Sequence, residues 1–413
     1  MSSVLIMTSF KKYIDSPIPS VENAAKLAVV LGIFFTPIGT APANIFCALA
    51  IIFWFAAGGY KKRFEDLKVN YLAGSTLALI FIIVIGSTYS SADVNDIHFQ
   101  LTKYSKLFLI LIVISLFKEK KWRDLGVNAF AASMLITLLL SLASVFLSIP
   151  LVKGGAGNHY VFKDHIAQNL MMSFFVILML TKSFYERRVT VKLVYLLVAV
   201  IAAVDILFLV QGRTGYFSLL LGLLILAGFF FPVRRWPILI IAGTLCVSAV
   251  FYFSDNFSSR LNLAVLEYKN QESNELTSVG QRIEFFKKSI VLIKERPLFG
   301  WGTGAYGKEF CRVATSAEWC QAGKAHPHNQ FLSFGVQFGI LGIIFYLAFL
   351  ASIVKVAEKF DSADKALIIG LLGILIVDSF FHAPLFLVAE AQFFILMLGI
   401  LSAGSLVQKN HGK

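Results

Sequence analysis

The chain has 413 residues, of which 57% are hydrophobic and only 15% are charged, and its mean hydropathy is +0.76. Soluble domains are about 45–50% apolar and about 25% charged, so this composition excludes a water-soluble fold. The net charge of +13 does not indicate a nucleic-acid partner, because the basic residues form short clusters between apolar runs and no nucleic-acid-binding motif is present. The expected solvent is a lipid bilayer.

Apolar runs of about 15 residues or more recur along the chain and predict an all-α integral membrane protein with about twelve transmembrane helices. The predicted spans are residues 24–40, 43–59, 71–88, 104–117, 126–149, 166–182, 192–210, 216–232, 236–253, 331–354, 365–381 and 385–406. We divide the chain into helices 1–9 (1–253), one long loop (254–330), and helices 10–12 with a short tail (331–413).

The distribution of Lys and Arg predicts the orientation. One set of short loops holds 17 of these residues and the alternate set holds five. Because cytoplasmic loops are the basic ones, both termini are expected in the cytoplasm and the long loop in the periplasm. Six of the seven histidines then face outward, and the outer face is the expected working face.

The long loop contains a predicted amphipathic helix over residues 282–296. Four apolar side chains share one face of it, namely Ile283, Phe286, Ile290 and Ile293. We expect this helix to lie on the membrane or across the mouth of the bundle. The following Gly300-Trp301-Gly302-Thr303-Gly304 predicts a flexible turn that lets the backbone approach a ligand closely.

Two cysteines of this loop, Cys311 and Cys320, are candidates for a disulfide, since an oxidising compartment favours one. The alternative is two free thiols. Cys47 and Cys246 lie inside apolar runs and are interpreted as small core residues.

Two residues stand out chemically. Arg213 lies between two apolar helices, where it either snorkels to the interface or clamps a phosphate with its guanidinium fork. His328 either helps to start the following helix, which Asn329 is suited to cap, or acts as a general base. No metal-ligand motif is present, so Arg and Lys are expected to meet any substrate phosphate without a metal or other cofactor.

The order of motifs resembles a known family. Gly280-Gln281-Arg282 precedes the amphipathic helix, then come Arg296-Pro297-Leu298-Phe299-Gly300-Trp301-Gly302-Thr303-Gly304 and His328-Asn329-Gln330-Phe331-Leu332, and Phe338-Gly339-Ile340-Leu341-Gly342 closes the series. This pattern, with Arg213-Thr214-Gly215 and the predicted topology, resembles the O-antigen ligase and polymerase superfamily of Gram-negative inner membranes.

The resemblance implies an inverting, metal-independent glycosyltransferase at the periplasmic face. Its donor would be O-antigen on undecaprenyl diphosphate and its acceptor lipid A–core. His328 would be the catalytic base, and Arg213 and Arg282 would hold the diphosphate. Asp378 either supports the site or is a helix-packing carboxylate. Supporting roles are also open for His326 and Asn329. The lysines either contact acceptor phosphates or are simply solvated; they are Lys103, Lys106, Lys153 and Lys163.

Other functions remain open. An O-antigen polymerase would use the same chemistry with a carrier-linked acceptor. A protein O-oligosaccharyltransferase is disfavoured, because the chain ends soon after the last predicted helix. A secondary transporter would suit twelve helices, but no repeat at the half-chain period is visible.

Overall fold

The computed structural model describes residues 18–154, 157–238 and 276–406, together with scattered positions between 241 and 267. The first ten helices are α1 Pro19–Phe35, α2 Thr40–Ala57, α3 Tyr60–Lys68, α4 Tyr71–Thr88, α5 Val94–Tyr104, α6 Phe108–Leu116, α7 Lys120–Ala143, α8 His165–Tyr185, α9 Val189–Val204 and α10 Arg213–Phe230. The later ones are α11 Ser278–Glu295, α12 Tyr306–Val313, α13 Ala317–Gly323, α14 Gln330–Ala357, α15 Ser362–Phe381 and α16 Val388–Ala403.

The prediction of an all-α integral membrane protein is confirmed. Eight helical segments among the described residues are long and apolar enough to cross a bilayer. Every predicted span in the described residues overlaps a helix, with offsets of up to about six residues at the ends, while most of the ninth, 236–253, lies outside them. The short fourth span is longer than predicted, because α5, a 3-10 turn and α6 run continuously as one segment, Val94–Leu116.

Helix α8 forms the centre of the bundle. In its most apolar stretch of 18 residues, 83% of the residues are buried, whereas the corresponding fraction is 22% for α2 and for the segment Val189–Leu209. A helix buried on all sides needs neighbours that approach closely, and small residues permit this approach. A Cβ at Gly222 of α10 would lie 2.6 Å from Ile177 of α8, and one at Gly370 of α15 would lie 3.0 Å from it. Close packing of α10 and α15 on α8 fixes the helix ends that build the site.

Helix α14 is broken at Gly339, where φ is +63°. A break inside a membrane helix frees backbone groups that must be satisfied within the protein. The segment that follows α11 supplies the partners: Ile340 N–H donates to the carbonyl of Pro297 (2.8 Å), and Trp301 N–H donates to the carbonyl of Val336 (2.9 Å). The break is therefore a docking site for this segment.

The glycine-rich turn serves this docking, so our prediction that it approaches a ligand is replaced by a structural role. A Cβ at Gly300 would lie 2.5 Å from the Val336 carbonyl oxygen, and one at Gly302 would lie 2.3 Å from the Ser90 Cα. Both glycines have positive φ, +66° and +92°. Glycine is required here because one backbone packs directly on another.

Helix α11 forms as predicted, and its fully buried side chains lie beside the predicted apolar stripe. Its buried side chains are Phe285, Ser289 and Leu292, whereas Phe286 of the predicted stripe is 54% exposed. This buried face packs against α12, α13 and α14, and together they form a small separate core. That core consists of Phe285, Leu292, Tyr306, Phe310, Trp319 and Val336. A disulfide joins Cys311 of α12 to Cys320 of α13.

Candidate active site

Three histidines meet at one end of the bundle. His326 and His328 precede α14, and His382 follows α15. The ring centres of His326 and His328 are 4.2 Å apart, and those of His328 and His382 are 5.7 Å apart. His382 is more than fifty positions from the other two in the sequence, so only the packing of α15 beside α14 brings it to them.

The backbone around His328 is held in an unusual conformation. His328 has φ +51°, the one positive value among the described non-glycine residues. Its N–H donates to Nδ1 of His326 (3.2 Å), so a neutral His326 carries its proton on Nε2. Asn329 caps α14, because its side chain accepts the N–H of Leu332 (2.9 Å). Strained backbone of this kind is concentrated at functional sites.

His382 is held by a carboxylate on its own helix. Nδ1 of His382 lies 2.9 Å from Oδ1 of Asp378, one helical turn earlier, and both side chains are buried. Sequence reasoning singled out Asp378 but not His382. The spacing of four residues between Asp378 and His382 could have indicated this pair, since side chains at i and i+4 share one helical face.

The three imidazoles border a cavity of about 530 Å³. Its lining comes from several elements, and the polar members besides the histidines are Thr40, Lys153, Lys163, Asp164 and Glu390. Lys163 is 7% exposed and donates to Thr40 Oγ1 (2.8 Å). Burial, aided by Lys153, lowers the pKa of Lys163 to about 8. The cavity combines apolar side chains with polar ones of both charge signs and is wide enough for part of a sugar.

Burial keeps the histidines neutral. It lowers the pKa of His328 to about 4, with further contributions from His382 and Arg282. It lowers the pKa of His326 to about 3 and that of His382 to about 4. A neutral imidazole has a free nitrogen lone pair, so each ring is in the protonation state that accepts a proton.

Arg213 and Arg282 line a second, smaller cavity beside the first. Ile166 borders both cavities, so they adjoin at the start of α8. Burial and the neighbouring Arg213 lower the pKa of Arg282, against the opposing effect of Glu267. The Arg282 guanidinium lies 5.9 Å from the Phe381 ring centre, and no described acceptor pairs with it. The two arginines thus form a cationic site next to the histidines.

The remaining candidates lie at the edge of this arrangement. Lys103 sits over the rings of Phe99 (4.9 Å) and Phe386 (5.4 Å), and the Phe386 ring is 5.6 Å from that of His326. Lys106 lies in the 3-10 turn after α5 and does not line the cavity. Among the described residues, no group of three His, Cys, Asp or Glu side chains is arranged to hold a metal ion.

A family model matches the region of the chain that contains Arg213, Arg282 and His328. Residues 197–347 match the family model described as O-antigen ligase. This region belongs to the O-antigen ligase and polymerase superfamily. It contains Arg213, Arg282 and His328, while Asp378 and His382 lie beyond it. At family level the match supports a membrane glycosyltransferase of the O-antigen ligase or polymerase type.

Two further similarities are more distant. An uncharacterized protein of Haemophilus influenzae is 24% identical over 326 residues, which are 76% of this chain and 79% of that protein. A solved chain described under "Structural coordination of polymerization and crosslinking by a peptidoglycan synthase complex" is 15% identical, with a TM-score of 0.49; the alignment covers 83% of this chain and 98% of that chain.

Proposed function

We propose that the protein is an O-antigen ligase. It transfers glycan from undecaprenyl diphosphate to lipid A–core, at the periplasmic face of the inner membrane. The observation that carries this proposal is the adjacency of the two cavities. The arginine cavity suits a diphosphate, and the histidine cavity beside it suits an acceptor sugar.

The arginine pair suits the donor. Transfer breaks the bond between the anomeric carbon and a phosphate oxygen, so negative charge develops on the departing diphosphate. Guanidinium groups keep their charge at every physiological pH and bind phosphate oxygens in pairs. The Arg282 guanidinium lies 5.9 Å from the Phe381 ring centre and makes no hydrogen bond to a described side chain, which supports this role.

The histidine cluster suits the acceptor. A sugar hydroxyl is a weak nucleophile and needs a base within hydrogen-bond reach. His328 is half-buried, borders the larger cavity and is neutral at neutral pH. The hydroxyl oxygen attacks the anomeric carbon as its proton moves to His328, and the diphosphate leaves on the opposite side. This single displacement inverts the anomeric centre and needs no metal, because arginines meet the leaving charge.

The opposite end of the bundle supports the proposed orientation. Helix α8 runs from His165, which borders the arginine cavity, to a separate cavity at its other end. That cavity is lined by Lys120, Arg123 and Lys182, all from the basic set of loops. If basic loops are cytoplasmic, the histidines face the periplasm. Cysteine-accessibility labelling of single-cysteine variants at Lys153 and Lys120 in intact cells tests the two sides.

The decisive experiment uses purified protein with carrier-linked O-antigen and lipid A–core in EDTA. Formation of glycosylated lipid A–core supports the ligase, and longer carrier-linked glycan instead identifies a polymerase. Deletion of the gene separates the same alternatives. A missing ligase leaves unsubstituted lipid A–core with O-antigen on its carrier, whereas a missing polymerase leaves a single repeat on the core.

A further inference from the structure

Three polar groups of the histidine cluster lie one behind another. His328 is half-buried, His382 beside it at the cavity is 3% exposed, and Asp378 is completely buried. The His328 and His382 ring centres are 5.7 Å apart, a separation that a hydrogen bond or one bridging water spans. The His382–Asp378 hydrogen bond continues the series inward. The arrangement leads from the cavity into the protein.

Two atoms along this line have no hydrogen-bond partner among the described residues, Nδ1 of His328 and Oδ2 of Asp378. Unpaired buried polar atoms are uncommon, and each calls for an explanation such as a transferred proton or a bound water. His328 also lacks a carboxylate partner of its own, and Arg282 beside it opposes positive charge on the ring. Protonated His328 therefore needs a way to lose its second proton.

We propose that His382, oriented by Asp378, is a proton relay for His328. This proposal rests on the proposed function. As the acceptor oxygen bonds to the anomeric carbon, its proton passes to one nitrogen of His328. The proton on the other nitrogen of His328 passes to Nε2 of His382, whose Nδ1–H stays hydrogen-bonded to Asp378. The diphosphate departs with the electron pair of the broken bond, and protons and charge balance.

Two carboxylates and one arginine lie around His382, the proton acceptor of the relay. Burial lowers the pKa of His382 and Arg282 of α11 lowers it further, while Glu390 of α16 and Asp164 before α8 raise it. The carboxylates of these two neighbouring elements thus partly offset the effects of burial and of Arg282 on His382.

The test measures kcat and the donor KM for the wild type, His382→Asn, Asp378→Asn and His328→Ala. Asn at position 382 keeps an N–H near that of Nδ1 but cannot take up a proton. Exposed His98→Gln and Asp96→Asn serve as matched controls on α5. Size-exclusion profiles and thermal midpoints in detergent establish that each variant is folded.

The relay predicts at least a tenfold loss of kcat in His382→Asn with the donor KM unchanged, and no additional loss when His382→Asn is added to His328→Ala. If His328→Ala is inactive while folded His382→Asn turns over like the wild type, the relay is wrong and the proposed function stands. If His328→Ala itself turns over normally, the base assignment fails and the relay fails with it. A raised KM together with additive losses in the double variant assigns His382 a structural role only.

Discussion

Arg213 and Glu267 form an ion pair beside the arginine cavity, with Arg213 Nη2 3.3 Å from Glu267 Oε2. The same carboxylate oxygen accepts the N–H of Val279 (3.3 Å) in the first turn of α11. A guanidinium combined with an N–H at a helix start is an arrangement that binds phosphate. Glu267 thus holds the position that an anionic group of the donor is expected to take.

We expect Glu267→Gln to lower the donor KM about threefold to tenfold with kcat unchanged, because an ion pair of about 1 kcal/mol no longer competes with the diphosphate. Steady-state kinetics with carrier-linked glycan measure this. Glu295→Gln is the control, since its partner Arg312 is exposed and stacks on Trp301. A higher KM together with a lower thermal midpoint would mean that Glu267 only supports the fold.

Arg282→Ala is expected to reduce kcat/KM for the donor by about tenfold to a hundredfold, the magnitude of a lost charged hydrogen bond in a buried site. Arg282→Lys should retain part of the activity, because it keeps the charge but not the fork. Transfer assays with both variants test this, and exposed Arg187→Ala at the other end of α8 is the control. Equal activity of both variants and the wild type would rule out the diphosphate role.

The pH profile should reflect the low pKa of His328, about 4, which results mainly from burial. A base works unprotonated, so kcat/KM should stay level from about pH 8 to pH 5 and fall below about pH 4. An imidazole in water would already lose activity near pH 6.5. An acid limb near that value in folded protein would contradict the buried site.

The stability of the folded protein should also decrease at acidic pH. Thermal midpoints measured at each pH separate this loss of stability from the loss of kcat/KM. The folded histidines stay neutral, while in the unfolded chain they bind protons near pH 6.5. The unfolded state therefore binds more protons between about pH 6.5 and 4, and stability decreases as the pH falls through this window. A midpoint that does not change between pH 7.5 and 5 would argue against buried neutral rings.

Gly339→Ala should destabilise the protein strongly. Its φ of +63° costs an L-residue about 1–2 kcal/mol, and the new Cβ would lie 2.4 Å from Leu298 backbone. Thermal unfolding in detergent measures the effect. Gly74→Ala in α4 is the matched control, because a Cβ there meets nothing within 4 Å. Equal midpoints for the two variants would mean that the break in α14 does not hold the following segment.

Removal of the Cys311–Cys320 disulfide should lower stability by about 2–3 kcal/mol, because the bond closes a short loop and restrains the unfolded chain. The double Cys→Ser variant and wild type in reductant should show the same lower thermal midpoint. Alkylation of cysteine thiols without prior reduction, in protein isolated from cells, tests whether the Cys311–Cys320 disulfide is formed. Labelling of both cysteines in that experiment would show that they are free thiols.

The fold class follows from composition and from the length of apolar runs, since a bilayer demands helices of a set length whatever their neighbours. Helix α11 was also predictable, from the helical spacing of its apolar residues. Its buried face was not, because Phe285 and Leu292 are chosen by contacts with α12, α13 and α14, and these contacts join distant parts of the sequence.

The amino-acid sequence was sufficient to predict a helical membrane protein and to show its resemblance to one superfamily, because local patterns and short motifs carry that information. Only the tertiary structure decided which of these residues meet. The packing of α8, α11, α14 and α15 brings together three pairs of residues. They are Arg213 with Glu267, Arg282 with His328, and His382 with His328. Such packing joins residues far apart in the chain, and hydrophobic periodicity does not encode it.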